Sequence, residues 1–342
     1  VDNAAGLSPR TGLGGAVGTA TLAPAKYVNP SALPQVLIAT NEPWGTYHVR
    51  SLLAEAERRD MRLTQLVPDR SHISLADPVP VARPEDALHA DLLVVSGAGD
   101  WPLECAARFP QLPLMASSLA YLGPQEAPGA ARLRRRLHGI TSSSPAESRA
   151  FASHLGTRRH IQVVGSPQTD DLPVRRPEAG LVLVLTSVTH PDGTGTAAPG
   201  TELLLSAAKA LHESGRRILV GLHPRENRTL WKQYEVSDVP SVQASARADV
   251  AIGIPGTAFP LVVAVGTPAI GCVGPALSVP DYLLSVCSST IDNAVDAVAA
   301  VAEAQLPDDV ILADAVGPIG NSARRLLNAW ACHGRGPALS PR

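Results

Sequence analysis

Short uninterrupted apolar runs recur along the chain, each followed by a small or polar turn and then a segment with helical spacing. Val36-Leu37-Ile38-Ala39 is the first such run, and Asp91-Leu92-Leu93-Val94-Val95, Leu181–Leu185, Arg217–Leu222 and Val250–Gly253 repeat it. Runs without polar alternation predict strands covered on both faces, as in a parallel sheet. Further strands are expected at Arg62–Val67, Leu112–Met115, Gly139–Ser142, Ile161–Val164 and Pro268–Val273. Between them, spacings of three and four residues predict helices over His48–Arg59, Leu103–Arg108, Ala130–Leu137, Pro145–Leu155, Thr201–Ser214, Asp292–Ala304 and Ser322–Cys332. In the first, Leu52, Leu53 and Ala56 are expected to face inward, with Glu55, Glu57, Arg58 and Arg59 in water. Strands alternating with helices predict an α/β fold of parallel sheets carrying helices on both faces.

The alternation falls into two halves. Residues 1–34, rich in Gly, Ala, Pro and Thr, read as a flexible tail. An N-terminal Rossmann-like domain spans 35–172, and a Pro-containing linker spans 173–180. A C-terminal Rossmann-like domain spans 181–319, a final helix 320–333, and a tail 334–342. At 342 residues, two cores of ordinary size fit. The stretch Asp249–Val273 condenses the pattern into strand, Gly-Thr turn, helix and strand. Gly256 lets backbone approach a ligand, Thr257 can cap the helix, and the N–H groups there favour an anion such as phosphate. An ordinary strand-helix turn is the alternative.

Composition adds exclusions. The formal net charge is −2, so bulk electrostatics do not point to nucleic acid. Arg132, Arg134, Arg135 and Arg136 form a local basic run that reads as a solvated helix face or a contact for an anionic surface. Cys105, Cys272, Cys287 and Cys332 are scattered, indicating neither a zinc site nor a disulfide framework. No uninterrupted apolar stretch has the length of a membrane span, and no basic-then-apolar leader opens the chain, so a cytoplasmic location is expected.

Several strand-end segments match, in chain order, those of two-domain GT-B glycosyltransferases. Gly256-Thr257-Ala258 with Gly266-Thr267-Pro268 resembles "S-G-T-A-T-L-E … G-T-P" of lipid-A-disaccharide synthases. Asn41-Glu42-Pro43-Trp44-Gly45-Thr46-Tyr47-His48 resembles their "G-E-x-S-G-D-x-H". Gly99-Asp100-Trp101-Pro102 resembles "I-D-x-P", and Val164-Gly165-Ser166-Pro167-Gln168-Thr169-Asp170 resembles "V-G-H-P-x-x-D". His223-Pro224 and Gly320-Asn321-Ser322-Ala323-Arg324-Arg325 are similar to segments of UDP-N-acetylglucosamine 2-epimerases and wall-polymer glycerophosphotransferases, which share the fold. One departure stands out: the glutamate expected five residues before Gly266 to hold the donor ribose is Leu261, and Pro260 precedes it.

The resemblance implies two Rossmann-like domains facing across a cleft, working in carbohydrate biosynthesis. It implies a nucleotide-sugar donor, UDP-linked, as co-substrate, with no resident cofactor and no metal. The acceptor would be a small molecule or lipid-linked, bearing a hydroxyl or amine. Gly256, Thr257, Ala258, His223 and Arg225 would hold the donor. Asp100 or His48 would act as base, His48 being expected at a helix start where it titrates near neutrality. Glu42, Trp44, Trp101 and Ser166 would line the acceptor side, with Asp170 at the hinge and His190 in a cleft-side loop. Each has a plainer reading: turn or cap for Asp100, His48 and His223, solvated loop for Glu42 and His190, core packing for the tryptophans. An epimerase, a glycerophosphotransferase, and a non-catalytic binding protein on a decayed fold are the alternative functions.

Overall fold

The computed structural model describes residues 34–87, 89–97, 99–119, 130–187, 200–223, 226–274, 277 and 279–334. Both expected tails, apart from residue 34 at the first and residue 334 at the last, lie outside them, as do His190 and Arg225. Strands β1 (Gln35–Thr40), β2 (Arg62–Leu66), β3 (Val81–Ala82), β4 (Leu92–Ser96), β5 (Leu114–Ser117), β6 (Leu137–Ser142) and β7 (Gln162–Val163) form one sheet. Its order is β3-β2-β1-β4-β5-β6-β7, with every pairing parallel. Strands β8 (Leu181–Leu185), β9 (Arg217–Gly221), β10 (Glu235–Val236), β11 (Val250–Gly253), β12 (Ala269–Cys272) and β13 (Ser289–Ile291) form the second. Its order, β10-β9-β8-β11-β12-β13, is again parallel throughout. The expected pair of Rossmann-like sheets is present.

The apolar runs are explained by burial on both faces. In β1, Val36 and Ile38 enter one core cluster while Leu37 and Ala39 enter another. In β8, Val182 and Val184 face one cluster and Leu181, Leu183 and Leu185 the other. Such a strand has no polar face to show, so the sequence does not alternate. The strands that sequence periodicity misses are β3, β10 and β13, each of two or three residues at a sheet edge, too short to carry a pattern. The helices Ser241–Ser245, Asp281–Leu284 and Asp309–Val316 are also unforeseen.

The first expected helix is broken. It divides into Tyr47–Arg50 and Leu53–Glu57 around Ser51 and Leu52. Glu55, expected in water, is buried, and its carboxylate pairs with Arg58 at 2.5 Å and Arg59 at 2.6 Å. Arg59 also donates to Asn328 Oδ1 at 2.7 Å, so the buried charge is compensated where the C-terminal helix packs over it.

That C-terminal helix, Ser322–Gly334, belongs to the core of the first sheet. Leu326, Leu327 and Trp330 are fully buried beside Val36, Ile38 and Val94. Trp330 Nε1 donates to Ser117 Oγ at 2.9 Å. The chain therefore crosses between the halves twice, and Asp170 joins the two crossings. Its carboxylate accepts from the N–H groups of Ser322 at 2.6 Å and Ala323 at 2.8 Å, capping the helix start. Gly165 holds φ +85°, and a Cβ there would collide with Ser322 Oγ and the Pro318 carbonyl, so the close approach needs glycine. The hinge expected around Ser166 and Asp170 is thus a tight capping joint. Asp170→Ala should lower the urea midpoint by the equivalent of about 1 kcal/mol, up to about 2, with the m-value unchanged.

Candidate functional site

In each sheet the strand order reverses beside the first strand, between β1 and β4 and between β8 and β11. Open α/β sheets form their ligand crevices at the carboxyl ends of such strands. In the first sheet, the loop after β1 runs over Asn41–Thr46 and the loop after β4 over Gly97–Gly99. Asn41 ties them together: its N–H donates to the Ser96 carbonyl at 3.0 Å and its Oδ1 accepts from the Gly99 N–H at 2.8 Å. Gly97, at φ +102°, lies so close that a Cβ would strike the Asn41 side chain. The structure therefore brings Glu42 and Asp100 onto one rim. Asp100 is exposed and is the first residue of the helix Asp100–Arg108, which begins a turn earlier than its apolar spacing suggested. Pro102 falls in that first turn, where its missing N–H costs nothing.

His48 departs from expectation. It is 2% exposed, its Nδ1 has no hydrogen-bond partner, and burial pushes its pKa down to about 4, against a smaller upward pull from the Glu42 charge. The imidazole is neutral through the physiological range instead of titrating within it. Its ring lies 4.0 Å from that of Tyr47, whose hydroxyl donates to Glu42 Oε2 at 2.9 Å. Both tryptophans are half-buried, and each indole N–H is bonded to a backbone carbonyl. Trp101 packs against the core and donates to the Leu66 carbonyl at 3.2 Å. Trp44 donates to the Asp69 carbonyl at 3.1 Å and stands edge-on to His72, 4.9 Å between centroids. Ser166 is fully buried, and its Oγ accepts from the Gln168 N–H at 3.3 Å, capping the short turn Pro167–Thr169.

In the second sheet, β11 is followed by Ile254-Pro255-Gly256-Thr257, which leads into the helix Ala258–Val265. A Cβ on Gly256 would meet only the Ile254 carbonyl, at 3.9 Å, so the space before the turn is open. Thr257 has helical backbone angles and makes no side-chain cap bond, contrary to its expected role. Among the described residues, the N–H groups of Gly256, Thr257 and Ala258 have no acceptor. The helix carries no acidic residue in its first turn, so its positive end is uncompensated. Gly266 closes the helix, and Thr267 Oγ1 donates to the Ser245 carbonyl at 2.8 Å, which gives the Gly-Thr-Pro segment a structural role. His223, half-buried, follows β9, and its N–H donates to Thr186 Oγ1 at 2.8 Å, linking the ends of β8 and β9. Thr186 was not foreseen, since a single threonine after a strand carries no sequence signal.

Leu261 is 3% exposed and packs with Ala146, Tyr282, Leu283 and Val316. Ala146 comes from the first half of the chain, so the cluster that holds Leu261 spans both halves, with the helix Asp309–Val316 packed against the helices that carry Leu261 and Ala146. Among the described residues, no cluster of three His, Cys, Asp or Glu could hold a metal ion. No described helix is long and apolar enough to cross a membrane.

Neither a protein-family model nor a curated protein sequence matches the chain. Solved structures do match its backbone. UDP-GlcNAc 2-epimerase from Methanocaldococcus jannaschii aligns with TM-score 0.58 at 11% identity, over 87% of this chain and 99% of that one. The wall teichoic acid polymerase TagF aligns at TM-score 0.56 and 9% identity, over 87% and 88%. MurG of Acinetobacter baumannii aligns at 0.53 and 11%, over 86% and 99%. The fold is of the GT-B type. At these identities the likeness extends to the fold alone.

The burial of His48 sets a pH dependence. Its pKa lies near 4 folded and near the ordinary 6.5 unfolded, so between these values the unfolded chain binds the extra proton. Stability is then full above about pH 6.5 and falls toward pH 4, by on the order of 3 kcal/mol from this group. Urea midpoints across that window should drop less steeply in His48→Gln than in wild type. The His48 ring signals should not titrate between about pH 5.5 and about 8 in NMR.

Proposed function

We propose that this chain is a metal-independent glycosyltransferase that moves a sugar from a nucleotide-sugar donor, UDP-linked, to a hydroxyl or amine acceptor. The observation that carries this reading is the turn after β11. Three unpaired N–H groups head an uncompensated helix at the point where the strand order reverses, with open space before Gly256. Oriented amides of this kind offset a diphosphate's charge before and during departure, without a cation. His223 stands two strands away on the same edge and adds a contact. Arg225, outside the described residues, is proposed from the sequence alone as a further donor contact.

Asp100 is the proposed base. Its exposed carboxylate can take the acceptor's proton as the new glycosidic bond forms and the nucleoside diphosphate leaves with the bonding electrons. His48, neutral and walled in, is a positioning residue: it backs Tyr47, which in turn fixes Glu42. Leu261 supports a different way of holding the ribose, since the position where related enzymes carry glutamate is given over to packing. The same observation favours a second reading, a nucleotide-binding protein without transfer activity. The two-domain fold is also that of a 2-epimerase, and incubation with UDP-N-acetylglucosamine alone, with no acceptor, separates epimerisation from transfer.

A thermal-shift screen against UDP, GDP, CDP, ADP and dTDP tests the donor side. One nucleotide at about 100 times its dissociation constant should stabilise the chain by about 2.7 kcal/mol. Gly256→Val should abolish that shift while leaving the unliganded melting temperature close to wild type, because its Cβ enters open space. A normal shift in this variant would put the phosphate elsewhere. Asp100→Asn should leave nucleotide affinity intact and cost about 10²- to 10⁴-fold in turnover. Turnover within about threefold of wild type would remove Asp100 from the chemistry.

A further inference from the structure

Tyr47 is, among the described residues, the one aromatic side chain that is exposed, at 39%. Every other described Phe, Tyr and Trp is buried or half-buried. The ring is nevertheless held on three sides. One side meets the His48 imidazole at 4.0 Å and an interplanar angle of 43°. Its Cε1 edge lies against Gly45, where an added Cβ would stand 3.2 Å away. Its hydroxyl donates to Glu42 Oε2 at 2.9 Å. Because burial keeps His48 neutral, the ring's backing on that side is uncharged. Tyr47 opens the helix after the β1 loop, and Asn41 of that loop binds Gly99, next to Asp100. An exposed ring that is already immobilised contributes contact area with little further loss of side-chain freedom.

We infer that Tyr47 and Glu42 form the acceptor platform, and that the acceptor is polyhydroxylated. An aromatic plate meets the C–H face of a sugar or polyol, and a carboxylate beside it accepts from hydroxyl groups, which matches the chemistry of both residues. Two acceptor classes share that chemistry, a pyranose ring and an open-chain polyol. The inference rests on the transferase reading for its place in the reaction, but the binding event does not require a nucleotide. It also replaces the tryptophans as the aromatic contact, since Trp44 and Trp101 are half-buried and spend their N–H groups on the Asp69 and Leu66 carbonyls.

The experiment uses the full chain with ¹³C-labelled tyrosine rings, five in the sequence. It is titrated with methyl N-acetyl-β-glucosaminide in one arm and glycerol in the other, each with and without UDP. The Tyr47 signal, assigned by its loss in Tyr47→Phe, should shift saturably in at least one arm, and the arm identifies pyranose or open polyol. Tyr47→Ala should weaken binding of that probe by about fivefold or more, and Glu42→Gln by a smaller factor, in ligand-observed saturation transfer. Tyr47→Phe, which keeps the ring and releases Glu42, should fall between Tyr47→Ala and wild type, and it stands in should Tyr47→Ala fail to fold. Saturable shifts at other tyrosines only, no shift with either probe, or binding within about twofold of wild type in Tyr47→Ala would overturn the platform. Loss of the UDP response alone defeats the donor reading and leaves the sugar arms to judge Tyr47.

Discussion

Burial of the central strands on both faces governs everything else in this protein. β1 and β8 have no side free for water, so each must be flanked by neighbours and covered above and below by helices. Parallel pairing with helical crossovers meets that demand. It also fixes where chemistry can occur. All strands of a sheet end on one edge, the helices that follow begin there, and their first N–H groups lack partners within the helix. At β11 the chain leaves those groups uncapped: Thr257 does not fold back on them, and no acidic residue follows. At β1 the loop is instead tightly laced, with Asn41, Thr40 and Glu42 holding backbone and Tyr47 in place.

The same packing explains how the halves are joined. Two crossings meet at the Asp170 cap, the C-terminal helix returns to fill the first core with Trp330, and Leu261 and Ala146 share an apolar cluster that spans both halves. Arg149 adds a bidentate pair with Asp314 at 2.9 and 2.6 Å across the same seam. Leu261 is therefore part of a packing arrangement, buried in one apolar cluster with Tyr282, Leu283 and Val316. A carboxylate in that buried apolar cluster would carry a desolvation cost.

The fold was legible because its signal is repetitive. β8 and β11 have the bounds that their apolar runs predict, and the helix Pro145–Leu155 starts at its proline and ends before Gly156. The edge strands were not legible, because two or three residues carry no period. The course of the strand-end loops was legible, the state of their side chains less so. The loops carrying Glu42 and Asp100 do meet, since both follow strands beside the reversal point. The burial of His48 was hidden, because a histidine after a loop reads alike whether the next turn covers it or not. Tyr47 was overlooked for a related reason: exposure is a property of the surrounding loop, and tryptophan is the stronger aromatic cue. Glu55 shows the same limit, its inward turn being decided by a helix some 270 residues later in the chain, where Arg59 binds Asn328.

The central claim is that the uncapped amides after β11 receive a nucleotide's phosphates. A backbone amide NMR map of the full chain with UDP tests it most directly. The largest saturable shifts should fall on the N–H groups of Gly256, Thr257 and Ala258, with smaller ones near Thr186 and His223. Saturable shifts that cluster elsewhere and spare those three amides would contradict it.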